Sequence, residues 1–232
     1  MLSRIEQVLD DVTSMSMVFQ PIVDVTDHVV VGVEALARFA AEPLRSPDLW
    51  FAEAASIGLG PALEMKAVRA AIEQVDRLPA GAFLALNVSP ELVLSGQLDD
   101  VAADSVGPRL VLELTEHEIV DDYGPIRCRI DSLREHGARL AVDDTGAGYA
   151  SLRHILLLTP EIIKLDRSLT QGVDHDLARK ALASCLVSFA KDTDAHLVAE
   201  GVETAAERET LERLGAQWMQ GFQIARPGPL PV

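Results

Sequence analysis

The chain alternates short, near-continuous runs of Val, Ile and Leu with longer stretches whose apolar residues recur every three or four positions. The short runs fall at residues 17–24, 29–38, 83–89, 109–116, 139–144, 161–166, 196–201 and 218–224. Runs of this kind are the pattern of strands buried on both faces. Helical spacing appears between them, at residues 62–78, 125–136, 177–192 and 204–214, and strand-helix-strand repetition predicts a parallel sheet. Only Val25-Thr26-Asp27-His28 separates the first two runs. That is too short for a crossover helix, so these two are expected to pair as an antiparallel hairpin. Eight strands in 232 residues suit an α/β fold, a TIM-like (β/α)8 barrel whose first strand is antiparallel to the rest. Residues 1–15 read as a short helical segment or linker remnant, and residues 16–232 as one domain, since no Pro/Gly/Ser-rich linker divides them.

Several runs end on carboxylates: Glu34, Glu113, Asp143, Asp144 and Glu200. An α/β barrel gathers its strand ends at one face, where active sites are built, so these acids are expected to converge. So many carboxylates share a desolvated site only if protons or cations neutralise them, and their oxygens favour hard divalent metals.

The formal charge of −16 excludes a protein that wraps polymeric nucleic acid, which requires clustered Lys and Arg. A small phosphate ester stays compatible, because bound metals supply a local positive centre. No run reaches a membrane span and the first residues show no apolar signal core, so a soluble, cytoplasmic protein is expected. Cys128 and Cys185 show no metal-binding spacing and are expected to be buried thiols. Asp174-His175-Asp176 is expected to begin a helix, acids favouring its positive end. Trp50 and Trp218 are expected to pack in the core rather than stack on a ligand. Gly146-Ala147-Gly148 reads as a hinge-like turn, because it lacks the surroundings of a phosphate loop. His117 is expected to point opposite to its neighbour Glu116 on a strand, away from any site.

At its motifs the chain resembles the EAL-domain family, phosphodiesterases that hydrolyse the bacterial second messenger cyclic di-GMP. The resemblance runs from FQPIVD (19–24) through EALAR (34–38), NVSPELV (87–93), ELTE (113–116), DDTGAGYASL (143–152), IIKLD (162–166) and AEGVE (199–203) to QGFQIARP (220–227). It implies that Glu34, Asn87, Glu113 and Asp143 hold one divalent metal, and Asp143, Asp144 and Glu200 a second. It implies that Lys164 orients and activates the attacking water, with Asp166, Glu203 and Gln220 around it. Gln20, Leu36 and Arg38 resemble substrate contacts, and Glu116 resembles the anchor of the loop at 143–151.

The same resemblance implies Mg²⁺ or Mn²⁺ as cofactors, two per site, with Ca²⁺ inhibitory, and linear pGpG as the product. It further implies a homodimer and an upstream sensory domain as possible partners. The chemistry fits: two metals about 4 Å apart can bind phosphoryl oxygens and acidify a bridging water. The loop differs from the family's common DDFGTGYSSL at Thr145, Ala147 and Ala150, none of them a metal ligand. A catalytically silent cyclic di-GMP receptor is the alternative function. Silent members usually lose metal ligands, whereas this chain keeps every one that can be matched.

Overall fold

The computed structural model describes residues 3–103, 106–114, 122–145 and 149–231. Eight strands close into a barrel in chain order. They are β1 (Met15–Asp24), β2 (Val29–Phe39), β3 (Phe83–Val88), β4 (Leu110–Leu114), β5 (Arg139–Thr145), β6 (Ile162–Leu165), β7 (His196–Ala199) and β8 (Trp218–Met219). β1 is antiparallel to both its neighbours, β2 and β8, while β2 through β8 run parallel. The hairpin turn is fixed by Asp24, whose carboxylate accepts from Thr26 N at 2.8 Å, and by His28 at φ 57°.

Ten α-helices lie among the described residues: α1 (Arg4–Asp10), α2 (Pro47–Ser56), α3 (Gly60–Ile72), α4 (Pro90–Ser95), α5 (Leu98–Ala103), α6 (Tyr123–Glu135), α7 (Tyr149–Leu158), α8 (Arg167–Thr170), α9 (Leu177–Asp192) and α10 (Ala205–Leu214). The predicted helix at 62–78 is observed as α3 followed by a 3₁₀ turn at Val75–Arg77. The predicted strand at 218–224 is shorter, because Gly221 leaves extended pairing and presses onto Val202. A Cβ there would lie 2.3 Å from the Val202 backbone, a contact only glycine permits. Cys128 and Cys185 are exposed, not buried. On α6 the buried positions are Ile126, Ile130 and Leu133, and on α9 Ala183, Leu186 and Ala190, so each cysteine falls off its helix's inward stripe. Trp50 and Trp218 are buried in core clusters, as expected of packing residues. Asp176 caps α9 by accepting from Ala178 N at 2.8 Å.

The period-two alternation of each strand divides the barrel into two stories. Ile22, Phe83, Ala85, Val111, Ala141, Ile162, Val198 and Trp218 fill one end of the interior. Two residues onward toward the carboxyl ends of the parallel strands, the same inward face carries Asn87, Glu113, Asp143, Lys164, Glu200 and Gln220. On antiparallel β1 the step runs backward, from Ile22 to Gln20. Outward-facing positions such as Leu84, Leu86, Leu112, Ile163 and Leu165 pack under the helices. The apolar end is closed by aromatic packing, with Phe83 and Trp218 at 5.7 Å and His196 stacked on Trp218 at 4.0 Å. Helix α1 opens on a Ser3–Glu6 capping box and buries Ile5 and Val8 against Trp50, Ala54 and Leu63. Its last carbonyls accept from the Lys66 ammonium, with Val8 O at 2.5 Å and Leu9 O at 3.1 Å.

Candidate active site

The polar story opens at the carboxyl ends of the parallel strands. At its centre Lys164, from β6, is 1% exposed and faces carboxylates from β2, β4 and β5 and from Glu200, the residue that follows β7. Its Nζ lies 2.7 Å from Glu200 Oε1, 2.8 Å from Glu113 Oε2, 3.5 Å from Asp143 Oδ1 and 3.9 Å from Glu34 Oε2. Burial by itself would favour the neutral amine, but Asp143, Glu113, Glu200 and Glu34 together raise the Lys164 pKa well above its ordinary value. With no cation in the site, these neighbours favour the ammonium form of Lys164.

The acids feel the reverse pressure. Burial pushes Glu113 up to about 8, with Lys164 opposing and Glu34 and Asp143 reinforcing. Glu200 is also raised well above the usual carboxylate range, again chiefly by burial.

Glu34 is held by two amides. Asn87 Nδ2 donates to its Oε1 at 2.9 Å and Gln220 Nε2 to its Oε2 at 2.6 Å. Gln220 Nε2 also lies 3.2 Å from Gln20 Oε1, and Gln20 Nε2 donates to Ala225 O at 3.0 Å. This chain of amides fixes a carboxylate on β2 with side chains from β1, β3 and the segment after β8.

Asp143, Asp144 and Glu200 bring one carboxylate oxygen each within 4.8 Å of one another. Asp144 is turned into the left-handed region, φ 53°, and its N–H donates to Asp143 Oδ1 at 2.8 Å. That turn lets consecutive residues present their carboxylates together, where an extended strand would send them to opposite faces. These three are an all-oxygen donor set of the type hard divalent cations take. Glu34 and Glu113 lie beside them, and the single Lys164 ammonium lies within 4.0 Å of four acids, Glu34, Glu113, Asp143 and Glu200, so the chemistry of the set fits a divalent metal.

Above this floor an open cleft of about 780 Å³ is lined by Gln20, Glu34, Asp144, Asp166, Glu200, Glu203 and Gln220, all named from the sequence. Asn87, Glu113, Asp143 and Lys164 form its floor through the contacts just described. Leu36 and Arg38, two and four residues past Glu34 on β2, are not among the lining residues; Arg38 is exposed and donates to Ala37 O at 2.8 Å. Glu116, His117 and residues 146–148 lie outside the described residues.

Sequence reasoning missed Arg167, Ser168, Gln171, Gly201, Gly221 and Phe222, which also line the cleft. It missed Glu207 as well. This buried carboxylate accepts from Gly172 N at 2.8 Å and from Glu203 N and Thr204 N at 3.0 Å each. It thereby ties the loop after α8 to the loop after β7, and Gln171 Nε2 donates across the join to Glu203 Oε1 at 3.1 Å. The Thr204-x-x-Glu207 spacing of a capping box is the sequence signal that marks it.

The fold and site define an α/β barrel with an acid-rich pocket at its strand ends, and comparison with known proteins places it further. Residues 5–227 match the EAL domain family model, and the chain belongs to the EAL domain family. It is 31% identical over 91% of its length to the bifunctional diguanylate cyclase/cyclic di-GMP phosphodiesterase MucR of Pseudomonas aeruginosa, covering 33% of that protein. It is 28% identical over 93% of its length to an uncharacterized protein of Mycobacterium tuberculosis, covering 37% of it. The chain thus spans about a third of the length of these curated relatives. Among solved structures, the MucR phosphodiesterase in complex with c-di-GMP superposes with a TM-score of 0.84 at 28% identity, 98% of each chain being covered. The Klebsiella pneumoniae BlrP1 calcium/cy-diGMP complex superposes with a TM-score of 0.82 at 28% identity, covering 93% of this chain and 56% of that one.

Proposed function

We propose that this domain hydrolyses cyclic di-GMP to linear pGpG at a site holding two divalent cations. The observation that carries this reading is the oxygen-only cluster Asp143, Asp144 and Glu200 set against buried Lys164, at the floor of an open cleft of about 780 Å³. Asp143, Asp144 and Glu200 would hold one cation and Glu34, Asn87, Glu113 and Asp143 the other, with Mg²⁺ or Mn²⁺ as the working metal. When bound, such cations neutralise the phosphodiester and acidify a coordinated water.

The protein's own groups do the rest. Lys164, at the centre of the carboxylates that would hold the cations, is placed to orient the attacking water by hydrogen bonding. The Gln20–Gln220–Glu34–Asn87 chain locks the Glu34 carboxylate, so its orientation costs no reorganisation when substrate arrives. Asp166 accepts from Ser168 N at 2.9 Å, capping α8, while its own N–H donates to Thr145 O at 3.2 Å and ties the end of β6 to β5. Glu203, gripped by Gln171, lies on the cleft wall, where it can accept from a base or ribose.

In the same reading the catalytic domain comprises residues 16–232, α1 belongs to a preceding segment, and an upstream sensory domain in the cytoplasm supplies the input. No helix among the described residues is long and apolar enough to cross a membrane. A homodimer would cover the apolar face of α7, where Leu152 and Leu156 are 44% and 69% exposed.

The deciding experiment incubates the protein with cyclic di-GMP and Mg²⁺ or Mn²⁺ and resolves the nucleotides by chromatography. Metal-dependent pGpG, abolished by a chelator, is the expected result. Tight binding of cyclic di-GMP with no pGpG in either metal would identify a receptor instead.

A further inference from the structure

Among the described residues, the cleft is lined by the carboxylates of Glu34, Asp144, Asp166, Glu200 and Glu203 and by one cation, Arg167. Cations bound at the strand ends would neutralise the acids of that pole and hold the phosphate being cleaved. A cyclic dinucleotide carries a second phosphodiester on the far side of its ring, which the same cations cannot reach together with the first. That second anion needs its own partner inside an acidic cleft.

Arg167 is built to be one. Its backbone follows Asp166 directly and begins α8, and Glu200 N donates to Leu165 O at 3.1 Å, tying the end of β6, which carries Lys164, to the residue that follows β7. The side chain leaves over Gly201, where a Cβ would lie only 2.6 Å from Arg167 Cβ. Gly201 at φ 63° therefore lets the arginine stem lie close against the β7 end, one residue from Glu200. Beyond that fixed root the guanidinium is exposed and makes no ion pair or side-chain hydrogen bond among the described residues. Arg45, Arg129, Arg134 and Arg208, by contrast, are each occupied by a carboxylate at 2.5 to 2.9 Å. A planar, permanently charged fork with donors to spare suits a phosphodiester.

We propose that Arg167 binds the phosphodiester that is not being cleaved, and so selects doubly charged cyclic dinucleotides over simple phosphodiesters. The inference rests on the phosphodiesterase reading above. Its test compares wild type, Arg167→Gln and Arg167→Lys on cyclic di-GMP and on bis(p-nitrophenyl) phosphate, which has one phosphodiester. Losing a charge-assisted contact should raise KM for cyclic di-GMP about 10- to 100-fold in Arg167→Gln, with kcat changed far less. Lysine should recover part of the loss, and the effect on the single phosphodiester should be several-fold smaller. Calorimetric binding of the bisphosphorothioate analogue of cyclic di-GMP should weaken in parallel, a readout independent of turnover. An equal loss on both substrates, or unchanged KM and analogue affinity, overturns the role of Arg167. Absence of hydrolysis by the wild type with either substrate would instead overturn the phosphodiesterase reading, while the analogue titration would still decide whether Arg167 holds the second phosphate.

Discussion

The Lys164 ammonium lies 2.8 Å from Glu113 Oε2, with both side chains 1% exposed, yet Glu113 remains protonatable up to about 8. Burial outweighs the attraction of one lysine shared among four acids. Glu200 is shifted the same way. The metal-free site therefore holds protons at neutral pH that an incoming cation must displace. We expect Mg²⁺ or Mn²⁺ binding at pH 7 to release roughly one proton or more, and apparent affinity to rise with pH until about 8, where Glu113 ionises unaided. Calorimetry at one pH in buffers of different ionisation enthalpy measures the release. Zero protons released would mean these acids are already ionised.

The same shift fixes the pH dependence of the metal-free fold. A carboxyl raised from 4.5 to about 8 binds more protons folded than unfolded across that interval. Its stabilising contribution is present below the unfolded value and is lost as pH rises through the folded one. Metal-free Tm should thus fall between about pH 5 and 8, less steeply in Glu113→Gln, and saturating Mg²⁺ should flatten the slope in the wild type. A wild type and a Glu113→Gln protein with superimposable Tm–pH curves would remove Glu113 as the cause.

The barrel was legible in the sequence because its strands are buried on both faces, so Val, Ile and Leu crowd into runs of strand length. The acids were legible because they interrupt those runs at inward positions: Glu113, two residues beyond Val111, lies one step up the same inner face. Helix α8 was not, since its four residues are too few to show a period. Arg167 and Glu207 were not, because each looks like an ordinary helix-start residue. Their meaning comes from Gly201 and Gly172, which approach them only in the folded chain.

Glu207 should behave as the clasp of the cleft wall. Burial acting alone would raise its pKa, but the N–H groups of Gly172, Glu203 and Thr204 outweigh it and hold it below the ordinary carboxylate value. Its stabilisation is present above the unfolded pKa and is lost as pH falls through the folded one. Glu207→Ala should cost about 2–4 kcal/mol at pH 7, from charged hydrogen bonds that leave buried N–H groups unpaired. The difference from wild type should shrink by pH 4. Urea midpoints at the two pH values measure it, and a constant difference would point to lost packing rather than lost charge. Glu207→Gln, which keeps one acceptor oxygen, should be intermediate.

Thr145 ends β5 immediately after the two aspartates, is 0% exposed, and its hydroxyl has no hydrogen-bond partner among the described residues. Its backbone oxygen accepts from Asp166 N at 3.2 Å, so the residue is fixed between the Asp143–Asp144 turn and the end of β6. A buried hydroxyl without a partner costs stability, and valine keeps the shape without the polar atom. Thr145→Val should raise stability by about 1 kcal/mol, or roughly 2–4 °C in Tm for a chain of this size. Thr145→Phe should do the opposite. A ring forced into a site that threonine already fills costs about 1–3 kcal/mol, and displacement of the adjacent Asp143–Asp144 turn should raise the metal concentration needed for half-maximal rate. Thermal unfolding of the metal-free proteins with a metal titration of initial rate covers both effects. A Thr145→Val protein less stable than wild type would reveal that the hydroxyl is hydrogen-bonded in solution. A Thr145→Phe protein with a lower metal midpoint would show that the ring finds a pocket and braces the turn.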